Sequence, residues 1–356
     1  MLISSDDLTA LTKSVFLAAR SEEAEARAIA ENLVTANLMG HDSHGVILVP
    51  MYVEEALDGR LTPGASVDVV TDNGVFLLLD GNMGYGQIIG PQAMELGIAK
   101  ANEQGAAILG LRNTHHLGRI GAWGELCADA GLVSIHYVSA VCHRPLVAPF
   151  GGTDARLSTD PICVTFPATD GGPPIVLDMA TSVVAGGKVK VAYNKGLPLA
   201  EGRLIDAAGK PTTDPGVIFP DRKGSMLPVG EHKGSGLALV CEILSGALTG
   251  GGASNPETAP QEKVKNNMFS VIFDPQGFGT DIPFAEELDR FIAYVKQSPP
   301  QPGVDVVMVP GEPERRSRAI REKDGIPLDD TTWEELIEAG VSAGMNRTDF
   351  TDVAGA

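Results

Sequence analysis

Cysteine is scarce in this chain of 356 residues: Cys127, Cys142, Cys163 and Cys241 lie far apart, with no C-x-x-C pair. That spacing serves neither a disulfide framework nor a structural zinc site, so a reducing, cytoplasmic setting is expected. Positive charge is also in deficit, with 27 Lys and Arg against 46 Asp and Glu and a net charge of -19. An acidic surface repels phosphate backbones and anionic lipid, so neither nucleic acid nor membrane is an expected partner. No apolar run reaches the roughly 18 residues that a membrane span needs. The first residues are acidic where a secretory leader is basic. Internal repeats and low-complexity linkers are absent too. What the chain does have is apolar material, 43% of its residues, ample for a large core and roughly two domains.

Helical spacing runs from Ser5 to Leu38, with Asp6 and Asp7 in the first turn. Further helices are predicted over Val49–Leu57, Pro91–Gln104, Ile120–Ala130 and His232–Leu248, and the tail beyond Pro310 is charged and helical. Strands are predicted at Val67–Val70, Val75–Leu79, Ala106–Leu111, Leu132–Tyr137, Ile162–Phe166, Ile175–Asp178 and Asn267–Phe273. The Gly- and Pro-rich stretch Lys195–Pro228 reads as a long surface excursion. Helices at both ends of a strand-rich middle predict an α/β chain. In it a helical layer drawn from residues 1–72 and 286–356 flanks a central α/β domain over 73–285.

Four of the seven histidines fall in two short segments, His41-Asp42-Ser43-His44-Gly45 and Arg112-Asn113-Thr114-His115-His116-Leu117-Gly118. Imidazole titrates near working pH, so this clustering points to proton transfer or metal ligation. His41, Asp42, His44, His115 and His116 suit zinc or iron chemically, but their spacing matches no metal pattern. Paired acid/base groups explain it at least as well, and a loop cap is the bland alternative for any one of these residues alone but not for the set. The segment Gly84-Tyr85-Gly86-Gln87-Ile88-Ile89-Gly90 is one residue longer than a dinucleotide fingerprint, and the next strand ends in Arg112-Asn113 where an acidic residue is expected. A turn that positions its neighbours is the better reading. Glu231-His232-Lys233-Gly234-Ser235-Gly236 opens a helix, and its lysine and free N–H groups suit a phosphate or carboxylate. An ordinary glycine-softened helix start fits the same spacing. Asp178 closes a strand, where ligand groups collect in α/β sheets.

Taken in order, these segments resemble the malate/L-lactate dehydrogenase family of the second, non-Rossmann type, whose members include ureidoglycolate, sulfolactate and diketogulonate oxidoreductases. The resemblance is carried by Asp42-Ser43-His44-Gly45 with Pro50 and Tyr52, by Gly84-Tyr85-Gly86-Gln87, and by Arg112 to Gly118. Val147-Ala148-Pro149-Phe150-Gly151-Gly152, Leu177-Asp178-Met179-Ala180, Pro211-Thr212-Thr213-Asp214-Pro215, His232-Lys233-Gly234-Ser235-Gly236 and Pro310-Gly311-Glu312-Pro313-Glu314 complete it. It implies a non-Rossmann nicotinamide-binding fold with a central mixed sheet and a helical domain formed from both termini. It also implies a homodimer with active sites near the subunit interface, and NAD or NADP as cofactor. The reaction implied interconverts a 2-hydroxy acid and its 2-oxo acid, with no metal.

By position, His44 matches a proton donor in some members and His116 a proton acceptor in others, with Ser43 orienting them and Tyr52 placed with the substrate. Cofactor contacts carry over to Ser139, Asp178, Met179, Ala180, His232, Lys233, Gly311, Glu312 and Pro313. Two positions depart from the family pattern. Leu48 stands where many members carry a carboxylate-gripping arginine, and Arg119 or Arg144 is the expected replacement. Asp160-Pro161 replaces the usual Asn-Pro, with either cofactor preference or a local backbone bond at stake. A cyclic-imine (ketimine) carboxylate reductase of the same family is the near alternative, and a metal-dependent hydrolase is the alternative from another class. A cofactor-binding protein without catalysis is a third, opposed by the presence of His44, His116 and Lys233.

Overall fold

The computed structural model describes residues 1–141, 145–219, 222–255 and 264–350. The chain opens with β1 (Leu2–Ile3) and helices α1 (Ser5–Ala18), α2 (Glu23–Leu38) and α3 (Val49–Leu57). A hairpin of β2 (Asp68–Asn73) and β3 (Phe76–Asp80) leads through α4 (Gly86–Gln104) to β4 (Ala106–Thr114). Then follow α5 (Gly121–Asp129), β5 (Val133–Val141), β6 (Ile162–Phe166), β7 (Ile175–Met179) and α6 (Gly186–Asn194). Three short strands come next, β8 (Leu204–Ile205), β9 (Pro211–Thr212) and β10 (Ser225–Met226), before α7 (His232–Cys241). β11 (Lys265–Phe273), α8 (Phe284–Lys296), α9 (Glu312–Asp324), β12 (Ile326–Pro327) and α10 (Asp330–Ser342) complete the order.

Seven strands form the central sheet in the order β2-β3-β4-β11-β5-β6-β7. Only β3 and β4 run parallel, because α4 carries the chain back over the sheet between them. The sheet is therefore mixed, as the resemblance implies. β11 lies between β4 and β5 and pairs Asn266 with Thr114 on one side and Asn267 with Ser139 on the other. A register shift between Asn266 and Met268 marks a bulge there.

Separate apolar cores underlie this layout. The terminal core joins Leu8, Phe16, Leu33, Tyr52 and Tyr85 to Ile326, Leu336 and Phe350, so both ends of the chain meet in one helical layer. β1 pairs with β12 beside it. A second core, with Leu79, Met94, Leu109, Trp123 and Met268, packs α4 and α5 on the sheet.

Several expected elements differ in extent. The helical pattern from Ser5 breaks at Arg20, whose φ of +77° ends α1 before α2 begins. α4 starts at Gly86, upstream of Pro91, since an interior proline removes only one N–H from the ladder. The helix from His232 widens into a π-helical turn at Glu242–Ala247. The Lys195–Pro228 stretch corrects the surface-excursion reading: it folds β8, β9 and β10 over a third core of Val147, Val189, Leu204, Val217 and Met226. Its apolar residues are spaced too irregularly by glycine and proline to show a period.

His136 on β5 is wholly buried, with Nδ1 2.8 Å from Ser270 Oγ and Nε2 2.8 Å from Ser134 Oγ. Burial holds this imidazole down to about 4 from its ordinary 6.5. The unfolded chain therefore binds the extra proton between those values, and stability falls as pH drops from 6.5 towards 4. For this one group the loss is about 3 kcal/mol. Urea unfolding of His136→Gln across that window is expected to show a shallower pH slope than the wild type; parallel curves would refute the assignment.

Candidate active site

The first histidine segment folds as a 3-10 turn, Asp42–His44, just beyond α2. Asn37 donates to Asp42 Oδ1 at 2.8 Å and accepts from the Val46 N–H at 2.9 Å. From α9, Arg321 donates to both Asp42 carboxylate oxygens at 2.5 and 3.0 Å, and Glu314 meets His41 Nε2 at 3.3 Å. α6 presses on the other side so closely that a Cβ on Gly187 would lie 2.4 Å from Ser43 Cβ. Ser43 Oγ is 2.9 Å from His44 Nδ1.

The second segment leaves the end of β4 and is gripped by one face of α3. Tyr52 OH lies 2.7 Å from His116 Nδ1, and Glu55 Oε2 lies 3.0 Å from His115 Nε2. These two side chains sit three positions apart, which puts them on the same helical face. Gln87 Nε2 donates to Tyr52 OH at 3.1 Å. From the sheet bulge, Asn266 Oδ1 accepts the Leu117 N–H at 2.7 Å and Asn267 Oδ1 accepts the Asn113 N–H at 3.0 Å. Both amides donate onward to Ser139, at its carbonyl oxygen (3.2 Å) and its Oγ (3.3 Å). Gly86 explains the glycine-rich segment: a Cβ there would lie 2.2 Å from His116 O and 2.5 Å from Leu117 Cα. The segment is a packing notch under the histidine loop, in keeping with a turn that positions its neighbours.

The two loops bring His44 and His116 face to face, with ring centroids 5.7 Å apart and planes 18° from parallel. Each Nδ1 has a hydroxyl oxygen behind it, Ser43 or Tyr52. Among the described residues neither Nε2 has a hydrogen-bond partner, so the pair presents its Nε2 atoms for chemistry. Burial, and then the positive fields of His41, Arg119 and Lys188, hold His44 down to about 4. Burial, and then His44 and His115, push His116 well below its ordinary value. Both rings are neutral at pH 7. Five histidine-segment side chains are thus divided among separate partners, and among the described residues no three His, Cys, Asp or Glu groups converge in metal-ligating geometry.

The positions matched to cofactor contacts form a contiguous band. Asp178 at the end of β7 accepts the Gly121 N–H at 2.6 Å and lies within the field of Arg119, while burial pushes its carboxyl up. The Val176 N–H donates to Pro310 O, which brings the Gly311-Glu312-Pro313 turn against β7, the strand that carries Asp178. Past Ala180, Thr181 O accepts the Val229 N–H at 2.8 Å, next to the start of α7 with His232 and Lys233. Thr181 N–H in turn donates to Thr159 O, and Asp160 Oδ1 accepts the Ala140 N–H beside Ser139. Asp160 therefore bonds local backbone, with its other oxygen accepting the Ser158 N–H at 3.1 Å. Glu312 spends its carboxylate on the Val309 N–H and on Lys296.

The malate/L-lactate dehydrogenase family profile matches residues 3–337. The chain belongs to the malate/L-lactate dehydrogenase family. Hydroxycarboxylate dehydrogenase B of Escherichia coli K12 is 44% identical over 340 residues, covering 95% of this chain and 93% of that protein. The L-lactate dehydrogenase of Cupriavidus necator is 40% identical over 310 residues, 86% and 88% of the two chains. The solved structure of a putative malate/lactate dehydrogenase from E. coli superposes with a TM-score of 0.93 at 41% identity, covering 99% of this chain and 98% of that one. This malate/L-lactate dehydrogenase family member is accordingly an oxidoreductase acting on the CH–OH of a hydroxy acid.

Arg119 and Tyr52, two of the residues expected at the substrate, have protein partners in this structure. Arg119 is almost wholly buried and points both terminal guanidinium nitrogens at Glu125, at 3.0 and 2.5 Å. Arg144 lies outside the described residues. Tyr52 is fully buried, its hydroxyl turned to His116 and Gln87. Leu48 packs against the terminal core. Sequence reasoning missed Asn266, Asn267 and Lys188. Two adjacent asparagines inside a strand pattern were the available signal, because asparagine is depleted in strands unless its side chain has work elsewhere.

Proposed function

We propose that this enzyme interconverts a 2-hydroxy acid and its 2-oxo acid using NAD or NADP, with His116 exchanging the proton on the C2 oxygen. The observation that carries the reading is the facing pair of neutral imidazoles, each with Nδ1 backed by a hydroxyl and Nε2 without a hydrogen-bond partner among the described residues. A neutral Nε2 lone pair can take the hydroxyl proton as oxidation proceeds. His44, held by Ser43, keeps the oxygen between the two rings. A bound nicotinamide supplies the hydride acceptor or donor.

The band from Ser139 through Asp178 to Lys233 and Gly311 suits such a dinucleotide chemically. Lys233 stands exposed at the N-terminus of α7, where N–H groups and an ammonium favour a diphosphate. The substrate carboxylate is met by a positive field from Arg119 and Lys188, both of which act on His44. Lys188 has no side-chain partner among the described residues, whereas Arg119 is held by Glu125. Homodimerisation is part of the proposal, supported by Leu237, Leu239, Val240 and Ile243, which leave an exposed apolar face along α7 and the turn after it.

A panel of 2-oxo acids and cyclic imine acids, assayed with NADH and with NADPH, tests this reading. Turnover of a 2-oxo acid is expected to exceed that of every cyclic imine. Faster imine reduction, or no turnover with either nucleotide, would overturn it.

A further inference from the structure

Tyr52 holds a position that substrate contact does not explain. Its ring is packed against Phe16 and Tyr85 in the terminal core, and the residue is fully buried. A buried hydroxyl must satisfy its hydrogen bonds inside the protein. It owns one hydrogen and accepts through two lone pairs. Gln87 Nε2, 3.1 Å away, donates into one lone pair. The other two neighbours belong to a single residue: His116 Nδ1 at 2.7 Å and His116 O at 3.4 Å.

Two arrangements fit this geometry, and they differ in where the ring hydrogen of His116 sits. In the first, the tyrosine O–H donates to Nδ1, so the ring hydrogen is on Nε2 and faces the cleft. In the second, the O–H swings to His116 O, Nδ1–H donates to the tyrosine oxygen, and Nε2 carries a lone pair. Gln87 keeps its bond in both. The 2.7 Å contact is a hydrogen bond in both; only the second arrangement uses the hydroxyl hydrogen on the carbonyl and both lone pairs at once, so it is the one that satisfies every contact of the buried hydroxyl.

We propose that Tyr52 is a positioning residue that sets the tautomer of His116: its oxygen accepts from Nδ1–H while its own hydrogen is turned to the His116 carbonyl oxygen, which leaves Nε2 with a lone pair to accept a proton. The inference rests on His116 being the proton-exchanging group. In the oxidation direction the balance is complete: the O–H bond of the substrate breaks, its proton forms a bond to Nε2, and Nδ1–H stays on the tyrosine oxygen. The electron pair of the C2–H bond leaves as hydride to the nicotinamide. In reduction the same imidazolium returns the proton from Nε2, and Nδ1–H keeps its bond to the tyrosine oxygen throughout. Burial, which pushes the Tyr52 phenol up, keeps it a neutral donor throughout. One tyrosine thereby prepares a single imidazole for both directions, as the orienting partner does in acid/base pairs generally.

The test is Tyr52→Phe, which preserves the packed ring. Long-range nitrogen–proton NMR of the histidines in cofactor-free protein is expected to show His116 as the Nδ1–H form in the wild type. In Tyr52→Phe that preference is expected to be lost. Hydroxy-acid oxidation should fall about 10²-fold in kcat with KM changed less than about twofold, the pattern of a lost proton-transfer preparation. Gln87→Met, which removes only the donor to the hydroxyl, should shift the tautomer ratio partway. A wild-type His116 found only as Nε2–H overturns the proposal. So does a Tyr52→Phe enzyme with kcat retained and KM raised, which would make Tyr52 a substrate contact. The NMR readout needs no turnover, so failure of the wild type to oxidise any hydroxy acid would count against the functional reading alone.

Discussion

His116→Asn is expected to lower kcat by about 10³-fold, in the range for loss of a positioned acid/base group. Asparagine preserves a polar planar side chain beside Tyr52, so the loop should stay in place and the protein should unfold at nearly the wild-type urea midpoint. His44→Ala removes the facing ring, which sits in the field of Arg119 and Lys188. It is expected to cost less in kcat and more in KM, because its part is to hold the substrate oxygen. Steady-state kinetics in both directions will separate the two. Equal losses in kcat for both variants, with KM unchanged, would mean that the proton passes through the pair as a unit. Near-normal turnover in His116→Asn would remove it from the chemistry.

Gly86→Ala is the second large effect. The added Cβ would meet His116 O at 2.2 Å and Leu117 Cα at 2.5 Å. Both are backbone atoms, held from the far side by Asn266 through the Leu117 N–H. No flexible side chain can yield, so either α4 or the histidine loop must shift. Overpacking of this kind costs about 3 kcal/mol or more at such contacts, and a displacement of about 1 Å at a catalytic group costs about 10²-fold in rate. The variant should therefore lose both stability and kcat, in contrast to His116→Asn, which should lose only the latter. A Gly86→Ala enzyme with wild-type kcat and unfolding midpoint would show that the notch has room.

The sequence alone made the two histidine segments visible because imidazoles are rare and these four are crowded. Their partners were much less legible. Glu55, Asn266 and Asn267 come from a helix and a strand far along the chain, and no local spacing announces which buried amide will meet which loop. Tyr52 was noticed by position and placed with the substrate, yet its hydroxyl faces His116 because α3 turns that side of itself inward with Glu55. The strands and the amphipathic helices were readable where their period was clean, as for α3 and β6. α6 escaped because glycines open it and only Val189 is buried, so it offers no apolar stripe. Nor does α8 bury any residue, and a helix that packs weakly leaves little for burial periodicity to mark. The region around β8 to β10 hid its core because its apolar residues sit among turns.

The turn carrying His44 is fastened by two side chains of α9: Arg321 on Asp42 and Glu314 on His41. A ribosome delivers the turn first and its anchors only after the whole central sheet has been made. Until then the nascent chain holds a loose imidazole near an unfinished cleft, and chemistry must wait for the last part of translation. Domains usually fold in the order in which they are synthesised. Here the first helices are obliged to wait for the last ones, so a prematurely terminated product is not a slow enzyme but an unassembled one.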